Sequence, residues 1–136
     1  STPQVVALAD AKKAVAMFNQ ESINVPVLGV VENMAYFTPE ELPENKYYIF
    51  GEQGAQHLSQ DLDVPFLGEI PLVQGLRESG DIGRPAALQE DTILSNQFDE
   101  VTRNAVEQLV KRNENMPPTE AIKITTMAGC SAVNKK

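Results

Sequence analysis

Cysteine is almost missing from this chain. Cys130 is the single one in 136 residues. No disulfide framework and no four-cysteine metal site can be assembled within the chain, and a reducing, cytoplasmic setting is the simplest expectation. Basic residues are scarce as well. Eleven Lys and Arg stand against nineteen Asp and Glu, a formal net charge of −8. Phosphate affinity comes mainly from Lys and Arg, so this balance argues against a broad nucleic-acid or anionic-membrane surface and leaves room only for a local basic pocket. No apolar run approaches the roughly 20 residues of a membrane-spanning helix. Ser1 opens no basic-then-apolar leader; the first residues read like the middle of a fold, so a piece of a longer protein is expected. A Gly-x-x-x-x-Gly-Lys-Ser/Thr phosphate loop is lacking too, since no lysine follows a glycine anywhere.

Apolar residues make up 42% of the chain, ordinary for a globular protein, and the length suits one domain with a real core. Two stretches share a formula. Val25-Pro26-Val27-Leu28-Gly29 runs on into Val30-Val31-Glu32-Asn33-Met34, and Val64-Pro65-Phe66-Leu67-Gly68 runs on into Glu69-Ile70-Pro71-Leu72. Short apolar runs without alternation suit strands covered on both faces. They predict two parallel strands of one sheet, the first with its body at residues 25–31. In open parallel α/β sheets, ligands sit beyond the carboxyl ends of the strands. Glu32-Asn33-Met34 and Ile70-Pro71-Leu72 are therefore the expected walls of a binding site.

The remaining segments fit around these strands. Thr2-Pro3 suits a helix start, with Thr as cap and Pro at the first position. Leu8, Ala11, Val15 and Phe18 then share one helical face, and the helix fades near residues 22–24. Residues 35–46, with two prolines and three glutamates, read as an exposed loop. Tyr47–Phe50 reads as a short strand, residues 52–62 as a helix buried through Ala55, Leu58 and Leu62, and residues 73–79 as a short helix. Gly80-Asp81-Ile82-Gly83-Arg84-Pro85 predicts irregular backbone. Asp91 is the expected cap of a final helix with Leu94, Phe98, Val101, Ala105 and Leu109 on one face, ending at 113–115. These elements define a domain over residues 1–115 and a polar tail over 116–136, with one possible strand at 122–126. Helix and strand in close alternation are the rhythm of βαβ crossovers.

Side chains with chemistry are few. His57 reads as a surface or half-buried structural residue, against a titrating role. Glu40, Glu41 and Glu44 are either a solvated acidic face or hard oxygen ligands for a metal. Cys130 is a plain tail residue or a reactive thiol. Asn33 offers an acceptor and a donor together, which matches the edge of an adenine; a turn-capping role is the alternative. Pro71 is a strand terminator, or a flat wall with an exposed carbonyl.

Taken together, Ser1-Thr2-Pro3-Gln4, Ala7-Leu8-Ala9-Asp10-Ala11, the strand ending Glu32-Asn33-Met34, Tyr48-Ile49-Phe50-Gly51, the strand ending Ile70-Pro71-Leu72 and Gly80-Asp81-Ile82-Gly83-Arg84-Pro85 resemble the C-terminal half of the Mrp/ApbC family. These are MinD-like P-loop ATPases of iron–sulfur cluster assembly and delivery, and the likeness covers roughly residues 1–88. It implies the C-terminal half of a doubly wound, mostly parallel α/β sheet of P-loop NTPase type. It also implies a homodimer that uses ATP and Mg, with the phosphate loop and the magnesium site in the other half, and apoprotein acceptors as partners. By the same resemblance, Asn33 hydrogen-bonds the adenine and Pro71 and Leu72 line the base pocket. The segment alone then has no catalytic residue and is inactive. Two positions depart from the pattern. A Cys-x-x-Cys commonly follows the Glu-Asn-Met element, and here Thr38-Pro39-Glu40-Glu41-Leu42 stands in its place. Glutamate is a poor substitute for the thiolates of an iron–sulfur cluster, which puts cluster binding at that loop in doubt. Val73 follows Pro71-Leu72 where an acidic residue is common. The alternative function is a non-catalytic interaction module built on the half-sheet.

Overall fold

In the computed structural model of the chain, residues 1–39, 41–42, 44–89 and 92–118 are described. Their centre is a pair of parallel strands, β1 (Val30–Phe37) and β2 (Phe66–Leu72). Val30 pairs with Phe66, Val31 with Gly68, Glu32 with Glu69 and Asn33 with Ile70. The two strands expected from the repeated Val-Pro formula are thus parallel neighbours, as that formula predicts. The first one begins five residues later than its apolar run. Proline supplies no N–H to a ladder, and β2 starts only after Pro65, so residues 25–29 have no strand to pair with. Val30 N makes the first bond, to Pro65 O at 2.8 Å. Gly29 passes close to β2 there: a Cβ on it would lie 2.6 Å from both Pro65 O and Leu67 Cγ.

Ser1 runs along the other edge of β1. Its N donates to Val31 O at 2.9 Å and its O accepts from Asn33 N at 2.7 Å. Two such bonds bracketing Glu32 are the pattern of a parallel ladder. The chain then turns into helix α1 (Val5–Phe18). Thr2 and Pro3 are not its start, because Gln4 occupies the N-cap position and gives no side-chain bond. Pro3 is instead buried against Gly51 and Gly54. Of the expected face, Val15 is buried, Leu8 and Ala11 are half-buried and Phe18 is exposed.

Helix α2 (Gly54–Asp61) connects the strands and buries Ala55 and Leu58. The expected strand at Tyr47–Phe50 reduces to one antiparallel bridge between Phe37 and Tyr47. Turn bonds from Ile49 N to Tyr47 O and from Gly51 N to Tyr48 O curl the backbone away. Residues 35–37, read as loop, extend β1, because Ala35 and Tyr36 are buried. After β2, helix α3 (Gln74–Asp81) takes in Gly80 and Asp81, and the irregular stretch begins only at Ile82. Gly83 there has φ 69°.

Helix α4 (Ile93–Asn115) is capped by Thr92, whose hydroxyl accepts from Ser95 N while the Ser95 hydroxyl reaches back to Thr92 N. This capping box replaces the expected Asp91 cap; Asp91 lies outside the described residues. Asn104 Nδ2 donates to Leu67 O at 2.8 Å and Gln97 Nε2 to the Tyr36 hydroxyl at 2.6 Å. The helix therefore runs back along β2, antiparallel to the strands. Leu94, Phe98, Val101 and Ala105 are half-buried, while Leu109 is exposed. The reason is length: 23 residues make a helix of about 35 Å, whereas seven residues of β2 extend about 23 Å. The last turns have no sheet beneath them. No described helix is long and apolar enough to cross a membrane. The possible strand at 122–126 lies outside the described residues.

Candidate functional site

The carboxyl end of the sheet is irregular in a specific way. The register shifts once at the start, where Leu67 is skipped between Val30–Phe66 and Val31–Gly68; it then runs evenly to Asn33–Ile70, and the next pair is Phe37–Leu72. Met34, Ala35 and Tyr36 thus stand opposite Pro71 alone. This is a bulge, a device that re-aims side chains at the ends of strands. Met34 carries it, with φ 55° in the left-handed region.

The bulge decides where the expected site residues go. Asn33 lies within β1, at the last pair before the bulge, and not beyond the strand. Its side chain is exposed, and its Oδ1 accepts from Met34 N at 3.0 Å. Pro71 is buried and Leu72 half-buried, both inside β2. The register sets Pro71 between the partners of Asn33 and Phe37, so all three residues meet at one end of the sheet. Among the described residues, Asn33 Nδ2 has no partner.

Three further residues matter here: Glu32, expected at the wall of the site, has a different partner, and Tyr36 and Lys46 were not singled out by the sequence. Glu32 is 2% exposed, and its Oε2 accepts from Ala55 N at 2.6 Å. It caps α2 from a distance, because Gln53, the helix's own N-cap residue, sits at φ 56° and gives no side-chain bond. A helix start without Ser, Thr, Asp or Asn is the signal that an acceptor must come from elsewhere. Tyr36 and Lys46 form a clasp. Lys46 Nζ lies 3.8 Å from the Tyr36 ring centre and 3.4 Å from Glu69 Oε1. Tyr48 meets Tyr36 edge-on at 6.4 Å. Burial works to lower the Lys46 pKa, but the charges of Tyr36 and Glu69 outweigh it and hold the ammonium above the usual lysine value. The clasp's contribution is complete below the ordinary lysine pKa and is lost only as pH rises through the raised one, in strongly alkaline solution. Because Lys46 and Glu69 are both substantially exposed, Lys46→Met should cost less than about 1 kcal/mol, and salt should shrink the difference. Urea titrations of both proteins at low and high salt measure it; a loss well above that figure would mean the clasp anchors the loop at residues 38–46.

The other singled-out residues do not converge. Glu41, Glu44 and His57 are exposed, and Glu40 and Cys130 lie outside the described residues. Among the described residues, no three His, Cys, Asp or Glu side chains stand close enough to hold a metal ion. An open cleft of about 430 Å³ lies at the amino end of β2, lined by Gln56, Ser59, Asp63 and Phe66 among others. Another lies on α4 at Asn96, Asp99, Thr102 and Arg103. Neither touches Asn33, Pro71 or Leu72.

Comparison with known proteins fits this arrangement. The family model described as ParA, NUBPL iron-transfer P-loop NTPase, matches residues 1–128. An iron–sulfur cluster carrier protein of Synechocystis sp. is 48% identical over 90 residues, covering 66% of this chain and 25% of the relative. An iron–sulfur cluster transfer protein, NUBPL, of Dictyostelium discoideum is 36% identical over 118 residues, covering 85% of this chain and 36% of the relative. The chain thus spans a quarter to about a third of the length of these relatives. Among solved structures, a nucleotide-binding protein of Archaeoglobus fulgidus in complex with ADP superposes with a TM-score of 0.53 at 39% identity. The match covers 62% of this chain and 33% of that one. The parallel α/β arrangement is therefore part of a P-loop NTPase fold.

Proposed function

The chain belongs to the NUBPL iron-transfer P-loop NTPase family, which includes the Mrp/ApbC-type carriers, and from that premise we propose that it is the base-binding side of a nucleotide-dependent iron–sulfur cluster carrier. In this reading it is a segment of a longer protein, with the family domain over residues 1–115 and a tail over 116–136. The observation that carries the reading is the convergence of Asn33, Pro71 and Leu72 at the carboxyl ends of β1 and β2, where α/β sheets bind ligands. The residues present fit the base of ATP: Asn33 supplies a polar edge and Pro71 with Leu72 an apolar wall.

They do not fit the rest of the nucleotide. Phosphoryl transfer needs a phosphate cradle, a cation and a positioned water. The chain has no lysine after a glycine, and its described side chains form no metal-holding group. The phosphate loop and Mg ligands belong to the remainder of the protein, as does most of the ligation of any iron–sulfur cargo. One cysteine per chain gives two in the homodimer, short of the four thiolates that commonly hold a cluster. Apoproteins that accept the cargo are the partners in this scheme. Calorimetric titration of the full-length protein with ATP tests the base site. Asn33→Ala should weaken binding about tenfold, the scale of one lost hydrogen bond at a desolvated edge. Unchanged affinity would remove Asn33 and its neighbours from the site.

A further inference from the structure

We infer that Met34 is a positioning residue, whose left-handed backbone fixes Asn33 so that its amide meets a purine as a hydrogen-bond donor. This rests on the base-site reading above and concerns how that site recognises its ligand. Three observations carry it. The bulge opposite Pro71 sets Met34 at φ 55°, a conformation uncommon for a residue with a side chain and disfavoured most for β-branched ones. The same turn aims the Met34 N–H at Asn33 Oδ1, 3.0 Å away. Because a backbone N–H only donates, the atom facing it is the amide oxygen, which settles the orientation of the side chain. Met34 itself is 36% exposed, so core packing does not explain its conformation.

The consequence is chemical. With the oxygen held by Met34 N, the unpartnered group of Asn33 is Nδ2, a donor of two hydrogens. Adenine and guanine both present N7 as an acceptor but differ at position 6, where adenine donates and guanine accepts. A donor placed at N7 serves either purine, so the contact made by Nδ2 does not by itself separate the two bases.

Affinities of the full-length protein for ATP, GTP and 7-deaza-ATP test this. Asn33→Asp keeps an oxygen and loses the donor. It should weaken ATP and GTP by the same factor, about tenfold, leaving their ratio within about twofold. 7-Deaza-ATP should bind the native protein about tenfold more weakly than ATP, and Asn33→Asp should erase that difference. Met34→Val, which resists the left-handed turn, should weaken both nucleotides as Asn33→Asp does. Met34→Gly, which accepts the turn, should bind them about fivefold more tightly than Met34→Val. Thermal melting of both Met34 variants separates loss of fold from loss of positioning. A change in the ATP-to-GTP ratio in Asn33→Asp, or equal affinities in the two Met34 variants, would overturn the inference while leaving the base site in place. If no variant altered any affinity, the base-site reading itself would fall.

Discussion

Glu32→Ala should lower the stability of the protein by about 2–3 kcal/mol, the scale of a lost hydrogen bond to a buried charged group. The loss is larger than for an ordinary cap, typically about 1 kcal/mol, because three effects coincide. The carboxylate is 2% exposed and accepts from Ala55 N at 2.6 Å. It lies at the amino end of α2, where the helix dipole favours a negative charge. No cap from Gln53 stands in reserve. Removing the side chain leaves the Ala55 N–H without its acceptor and a space beside β1. Glu32→Gln keeps an oxygen of similar reach, so it should recover part of the loss but not the charge–dipole contribution. Urea unfolding of the three proteins measures both steps, and equal midpoints for the native protein and Glu32→Ala would show that water satisfies α2 without help from the sheet. Hydrogen exchange at the first turn of α2 adds a local readout: protection should fall there before it falls in α4, whose Thr92–Ser95 box is self-contained.

Glu32 also illustrates what a sequence conceals. Read along the chain, it is the first polar residue after an apolar strand, and it resembles a ligand-facing end. Its actual partner is 23 residues away, and no local pattern encodes that distance. The parallel strand pair, by contrast, was legible, because two Val-Pro-apolar-apolar-Gly runs joined by a helical stretch leave few other topologies. Strand boundaries were less so. Apolar composition marks residues 25–29 as strand, but hydrogen bonding requires a neighbour, and Pro65 delays β2 until Phe66 opposite Val30. The bulge follows the same logic. Asn33, Pro71 and Leu72 were identifiable as neighbours from residue type and family resemblance, yet the extra residues opposite Pro71 appear only when the two registers are compared. The Lys46 clasp was hidden because Lys46 closes a segment that reads as solvated loop, whereas its partners Tyr36 and Glu69 come from two different strands. Caps were legible only in part: the Thr92–Ser95 pair is local, yet Asp91, one residue earlier, is the cap that the sequence suggested.

Gly54→Ala should destabilise the protein by about 2–3 kcal/mol, near the upper end for overpacking a rigid site. Alanine normally favours a helix over glycine by about 1 kcal/mol, so the expected sign is opposite to what propensity alone gives. The difference lies in what surrounds Gly54. A Cβ there would collide with Pro3 O, and would lie 2.9 Å from Pro3 Cα and 2.8 Å from Leu8 Cδ1. Two of these are backbone atoms, and Pro3 is itself held in place, because Ser1 two residues earlier is bonded to both Val31 and Asn33 of β1. The segment cannot retreat without breaking that ladder, and α2 cannot retreat without drawing Ala55 N away from Glu32. The effects of Gly54→Ala and Glu32→Ala should therefore overlap. In a double-mutant cycle the combined loss should fall short of the sum by about 1 kcal/mol, as expected for neighbours that share one junction. Strict additivity would mean that Pro3 yields independently of the cap. A stabilised Gly54→Ala protein would mean that α2 sits farther from the amino-terminal segment than Gly54 implies.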